Sequence, residues 1–99
     1  MHGEYKVPGG KLVVVDFDVV DGVIRNPRVA GDFFLEPDEA LEDLNRGLDG
    51  LAAASDAKQI AAAITGALRP DAVMLGFSAE AIAVAVRRAM TDATSWSNY

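Results

Sequence analysis

"KLVVVDFDVVDGVIRNPRVAG", residues 11–31, decides the fold. Val13, Val15, Phe17 and Val19 recur with a period of two while Asp16 and Asp18 mark the other face, the pattern of a half-buried strand. Asp21-Gly22, between Val20 and Val23, is the pair that a two-residue type I′ hairpin turn prefers, because both central positions need a positive φ. That turn sets Ile24 opposite Val19 on the apolar face and leaves Val29 an odd step away. A bulge at Asn26-Pro27 adds one residue, returns Val29 to the core face and puts Pro27 where a missing N–H does no harm.

Upstream, residues 3–8 supply a short strand that ends at Pro8-Gly9-Gly10, which makes a three-stranded antiparallel meander. The Gly-Gly-Lys that follows is not a nucleotide loop. A Walker-type loop needs Gly, four residues, then Gly-Lys-Ser/Thr at the head of a helix. Tyr5 stands where the first Gly should be, Leu12 where the hydroxyl should be, and a strand follows instead of a helix.

After Gly31-Asp32-Phe33-Phe34 the period changes. Pro37 suits a first helical position, Asp38 and Glu39 suit the positive helix end, and Leu41, Leu44, Leu48 and Leu51 repeat every three to four residues. The spacing predicts a helix from about Pro37 to Leu48, ending around Gly50. Ser55 or Asp56 caps a second helix with Ile60, Ile64, Ala67 and Leu68 inward, stopped by Pro70. Ser78 caps a third, with Ala79, Ile82, Ala83, Val86 and Met90 on its inner face. Residues 72–77 form an apolar connector, and residues 92–99 have no period, which predicts a flexible tail behind a single domain of residues 1–91. A meander followed by about three helices is an α+β domain in two layers.

Ninety-nine residues, 51% of them hydrophobic, suit one domain that buries roughly two thirds of its unfolded surface. Without Cys there are no disulfides, thiolate metal sites or thiol nucleophiles. The one His, His2, lies near a terminus expected to be mobile, which argues against a His-based metal site. A net charge of −6 argues against nucleic acid as a partner, and no 18-residue apolar run argues for a membrane. With no signal layout at its N-terminus, the chain is expected to be cytoplasmic.

No self-contained catalytic group is visible. Asp16 and Asp18 share a strand face that is expected to meet water, and Asp38, Glu39, Glu42 and Asp43 are expected to complement the dipole of the first helix. Ser55, Ser78, Ser95 and Ser97 have no internal His to activate them. Two stretches remain. Lys6-Val7-Pro8-Gly9-Gly10-Lys11 sets two cations on either side of a turn whose glycines admit another molecule close to the backbone, or is simply a tight turn with two solvated lysines. Gly31-Asp32-Phe33-Phe34 joins strand to helix, either as a core corner in which one or both Phe fill the sheet–helix gap or as an interface.

Taken in order, "KVPGGKLV", the Asp-Gly hairpin and "GDFFLEPDEALEDL" resemble the C-terminal accessory domain of lipoate-protein ligase, over about residues 3–90. The length matches the form in which that domain is a free-standing accessory subunit. The resemblance implies a fold similar to that of the iron–sulfur scaffold proteins, although this chain has no Cys to assemble a cluster. It implies no activity for the chain alone and no cofactor bound by it. A separate catalytic ligase domain would bind lipoate, ATP and magnesium and form lipoyl-adenylate with the help of this chain, serving a lipoyl acceptor domain indirectly. Lys6, Gly9, Gly10 and Lys11 are then the expected contacts to partner or adenylate, and Gly31, Asp32, Phe33 and Phe34 the structural or interface corner. A self-associating interaction domain that pairs through its Leu/Ala helix faces, and a carrier or scaffold-type domain without metal, are the competing readings.

Overall fold

The computed structural model describes residues 1–32 and 34–97, with side chains through residue 90. Strands β1 (His2–Lys6), β2 (Leu12–Val20) and β3 (Val23–Gly31) form an antiparallel sheet in that order. The predicted hairpin is present: Asp21 and Gly22 have φ of 53° and 78°, and Val19 faces Ile24. The bulge is present too. Asp18 pairs with Arg25 and Asp16 with Arg28, so Asn26 and Pro27 together oppose Phe17, and Asn26 takes a φ of 54°. Val29 returns to the buried face beside Val15.

Helices α1 (Ala40–Leu48) and α3 (Ala79–Ser97) pack against one side of the sheet, and α2 (Ala57–Ala67) packs against both of them. Between sheet and helices lie Val13, Val15, Phe17, Ile24, Leu44 and Ile82 among others, all buried. Asp56 caps α2 through a reciprocal capping box with Gln59, and the Ser78 hydroxyl accepts from the Ala81 amide to cap α3. The outer edge of β3 is covered as well: Ile24 donates to Leu51, Gly50 and Ala53 donate back to Ile24 and Gly22, and the Asn45 side chain accepts from Val29.

Several expectations are corrected. The first helix begins at Ala40, because residues 37–39 are taken up by a tight turn in which the amides of Ala40, Leu41 and Glu42 each reach back three residues. Leu41 consequently faces outward. The backbone of α3 runs to Ser97, and neither Gly nor Pro interrupts the segment. His2 does not lie at a loose end but opens β1, where the Phe17 amide also bonds the Met1 carbonyl. Finally, the apolar connector forms β5 (Val73–Leu75), which pairs antiparallel with β4 (Phe34–Glu36) in a two-stranded ribbon. Three-residue strands carry too little period to stand out in a sequence.

Sheet and α3 meet closely at Gly3. A Cβ there would collide with the Ala85 carbonyl oxygen and lie 2.9 Å from both the amide nitrogen and the Cβ of Ala89. Both sides of this contact are therefore small, and Ala81, Ala85 and Ala89 are buried along the helix. Gly3→Ala should destabilise the fold by about 1–3 kcal/mol, since the obstacle is backbone and cannot rotate away. Gly66 in α2 has open space where its Cβ would lie, so Gly66→Ala should instead stabilise by about 0.5–1 kcal/mol. Urea unfolding of the two variants checks the opposite signs.

Candidate functional site

The lysine turn is built by its own backbone. Gly10 donates to the Val7 carbonyl at 2.8 Å, Pro8 and Gly9 occupy the centre, and Gly9 has a φ of 72°, which is a type II turn. Val7 donates to Lys11 at 3.1 Å and closes the loop. The two lysines then part company. Lys6 turns back to donate to the Gly10 carbonyl at 3.1 Å, whereas the stem of Lys11 lies across Gly76.

That crossing joins the turn to the ribbon. The Lys11 amide donates to the Gly76 carbonyl at 3.0 Å, a Cβ on Gly10 would lie 2.8 Å from the same oxygen, and a Cβ on Gly76 would lie 2.6 Å from Lys11 Cγ. Gly10 is thus approached closely by the chain itself. Of the two turn glycines, Gly9 has nothing within 4 Å of its Cβ position, so the tip of the turn is open.

The ribbon alternates as a strand pair should. Leu35 and Met74 pack inward against the core, while Phe34, Val73 and Leu75 face outward with 49%, 45% and 57% of their surface exposed. Phe34 and Leu75 are cross-strand partners. Three large apolar side chains are thus presented on a ribbon whose next residue, Gly76, underlies Lys11. Such a patch rimmed by a cation is the composition of a protein-binding surface.

Of the corner residues, Gly31 ends β3 opposite Val13, and the Asp32 amide donates to the Leu12 carbonyl at 3.2 Å. Phe34 is half exposed and does not fill the sheet–helix gap; among the described residues Phe17 and Phe77 are the buried aromatics. Phe33 lies outside the described residues. Val73, Leu75 and Gly76 were missed by sequence reasoning, and the signal available was a short apolar run ending in Gly before the Ser78 cap.

The acidic first turn of α1 holds a different surprise. Asp43 was expected to complement a helix dipole, yet it is only 2% exposed. Its carboxylate accepts from Arg69 Nε at 2.7 Å and from the Arg69 amide at 3.2 Å, with Arg46 on the other side. This is a structural staple between α1 and the end of α2. A pocket of about 690 Å³ also opens between α2 and α3, lined by Ala61, Ala62, Gly66 and Val84 with Lys58 and Glu80. Among the described residues no group of His, Asp and Glu is placed to hold a metal, and no helix is long and apolar enough to cross a membrane.

The chain matches no family model and no curated protein. Among solved structures it is similar to a chain of an archaeal lipoylation system from Thermoplasma acidophilum, described as a bi-partite lipoate protein ligase and its E2 lipoyl domain. The TM-score is 0.67 at 23% identity, over 88% of this chain and 98% of that one. The two share a fold over that span.

The Arg69 guanidinium holds the Asp43 carboxyl below its ordinary range, and hydrogen bonding is the largest cause. A lowered folded value means that the staple stabilises fully above the ordinary Asp value and is lost as pH falls from there through the lowered one. Asp43→Asn should therefore unfold more easily than the parent at neutral pH, and the gap should shrink on acidification. Urea midpoints between about pH 6 and about pH 2 measure that convergence.

Proposed function

We propose that this chain is the accessory subunit of a two-part lipoate-protein ligase, acting in ATP-dependent formation of lipoyl-adenylate on a separate catalytic subunit. The observation that carries this reading is the fold likeness, over 88% of this chain, to a chain of a bi-partite lipoate ligase system, on a protein that exposes three large apolar side chains on one ribbon. The motif resemblance at the lysine turn and at the Gly31–Phe34 corner supports it independently, because the structure brings those two stretches to adjoining places.

In this reading Phe34, Val73 and Leu75 dock on the catalytic subunit and the turn tip at Gly9 approaches its nucleotide or adenylate. Lys11 supplies the positive charge. Lys6 holds the turn, since its ammonium is already engaged with Gly10. The contribution to adenylation is positioning and electrostatic stabilisation with no bond made or broken by this chain. Transfer of the lipoyl group to the acceptor domain depends less on it. The catalytic subunit holds lipoate, ATP and magnesium.

A second reading has one observation in its favour. The apolar pocket between α2 and α3 carries both Lys58 and Glu80, so two copies could pair these charges reciprocally across a two-fold axis. Light scattering at increasing concentration would then show a dimer.

Pyrophosphate release separates the readings. The chain alone should release none, and its addition to the cognate catalytic domain should restore lipoate-dependent release; equal release with and without it removes the accessory role. Lys11→Ala should slow adenylation with folding stability changed by no more than about 0.5 kcal/mol. Phe34→Ser and Leu75→Ser should each weaken subunit affinity about tenfold, close to 1.4 kcal/mol, at nearly unchanged melting temperature.

A further inference from the structure

The sheet face turned away from the helices carries an ionic group formed by its edge strand. His2 and Asp16 are cross-strand partners on β1 and β2, and Glu4 lies two residues along β1 on the same face. His2 Nδ1 is 2.7 Å from Asp16 Oδ1, and Nε2 is 2.7 Å from Glu4 Oε2. A neutral imidazole has one N–H and one bare lone pair, and an ionised carboxylate only accepts. Hydrogen bonds from both ring nitrogens to carboxylate oxygens therefore require both nitrogens to be protonated. Placing the proton on a carboxylate instead would give it to the weaker base by about two pH units.

We propose that His2 is a proton-operated clasp: as imidazolium it ties Glu4 and Asp16 together across the edge of the sheet, and its deprotonation releases the N-terminal end of β1. The location makes this more than a surface ion pair. Gly3, the next residue, is the seat of α3, and Lys6 at the other end of the same strand opens the lysine turn. One strand thus carries the clasp, the helix contact and the entry to the turn.

Other charges on this face are Lys6 on β1, Asp18 on β2, and Arg28 and Arg25 on β3, the cross-strand partners of Asp16 and Asp18; the Met1 ammonium, which donates to the Phe17 carbonyl, precedes His2 in the chain. Lys6, Arg25, Arg28 and the Met1 ammonium oppose protonation of His2 and Asp18 favours it, but the two touching carboxylates dominate. On the helix side, Arg88 of α3 reaches the Glu4 carbonyl at 3.3 Å and stacks 5.0 Å from the Tyr5 ring centre, so it favours the neutral ring only from the far face. The bond to Glu4, then that to Asp16, holds His2 above its ordinary value. A raised folded value gives stability that is complete below the unfolded value of about 6.5 and is lost as pH rises through the folded one.

His2 is the one histidine in the chain, so its ring signals titrate without overlap in an NMR experiment on the intact protein. The expected midpoint lies above 6.5, both ring nitrogens are protonated below it, and Glu4→Gln and Asp16→Asn each lower it. Amide protection of residues 2–4 should fall several-fold as pH passes the midpoint, after correction for base-catalysed exchange, with no such step in His2→Gln. A midpoint at or below the ordinary value, one that neither substitution moves, or a step that persists in His2→Gln would overturn the clasp.

Discussion

The approach of α3 to the edge strand at Gly3 is the constraint on which the rest of the molecule depends. A helix backbone can come this near to a strand only where side chains are absent on one side and small on the other, and Gly3 with Ala85 and Ala89 meets both conditions. Close seating carries Ile82 and Val86 into the core cluster that also holds Val13, Val15 and Phe17, all of them buried. It also fixes where α3 starts. Ser78 and Phe77 must lie over the far end of the sheet, so the segment before them is delivered beside the lysine turn and can pair with β4.

The second close crossing, Lys11 over Gly76, turns that delivery into a surface. Turn and ribbon are joined by a backbone hydrogen bond and by two glycines that leave no room between them. Apolar side chains on the ribbon and a lysine at its rim are therefore held in register by the fold, a form of preorganisation that limits the entropy lost on binding. The Asp43 staple supports the same end of the molecule indirectly. By joining α1 to the residues after α2, it anchors the chain just before β5 begins at Val73.

The meander was legible because period, turn chemistry and bulge all point the same way between Lys11 and Gly31. Val29 needed an extra residue to reach the core, and Asn26-Pro27 supplied it. Helix caps at Asp56 and Ser78 were legible for a similar reason, since a short polar side chain before an apolar run has one good use. The ribbon was not legible: three residues per strand give no period, and its pairing joins segments far apart in sequence. Neither was the burial of Asp43, because a carboxylate in an acidic helical turn looks solvated until its partner from residue 69 is brought over by the fold. At the candidate site, the turn could be read from Pro8-Gly9-Gly10, but the use of Gly10 for contact with Gly76 and the outward aim of Phe34 required the tertiary structure.

The central claim is that the lysine turn and the apolar ribbon act as one surface for a catalytic ligase subunit. Hydrogen–deuterium exchange of this chain, free and mixed with the cognate catalytic domain, tests it most directly. The account predicts new protection confined to residues 7–11, 34–36 and 73–76, with the outer sheet face and the α2–α3 pocket unchanged. Protection centred on α2 and the start of α3, or no protection anywhere at saturating partner, would contradict it.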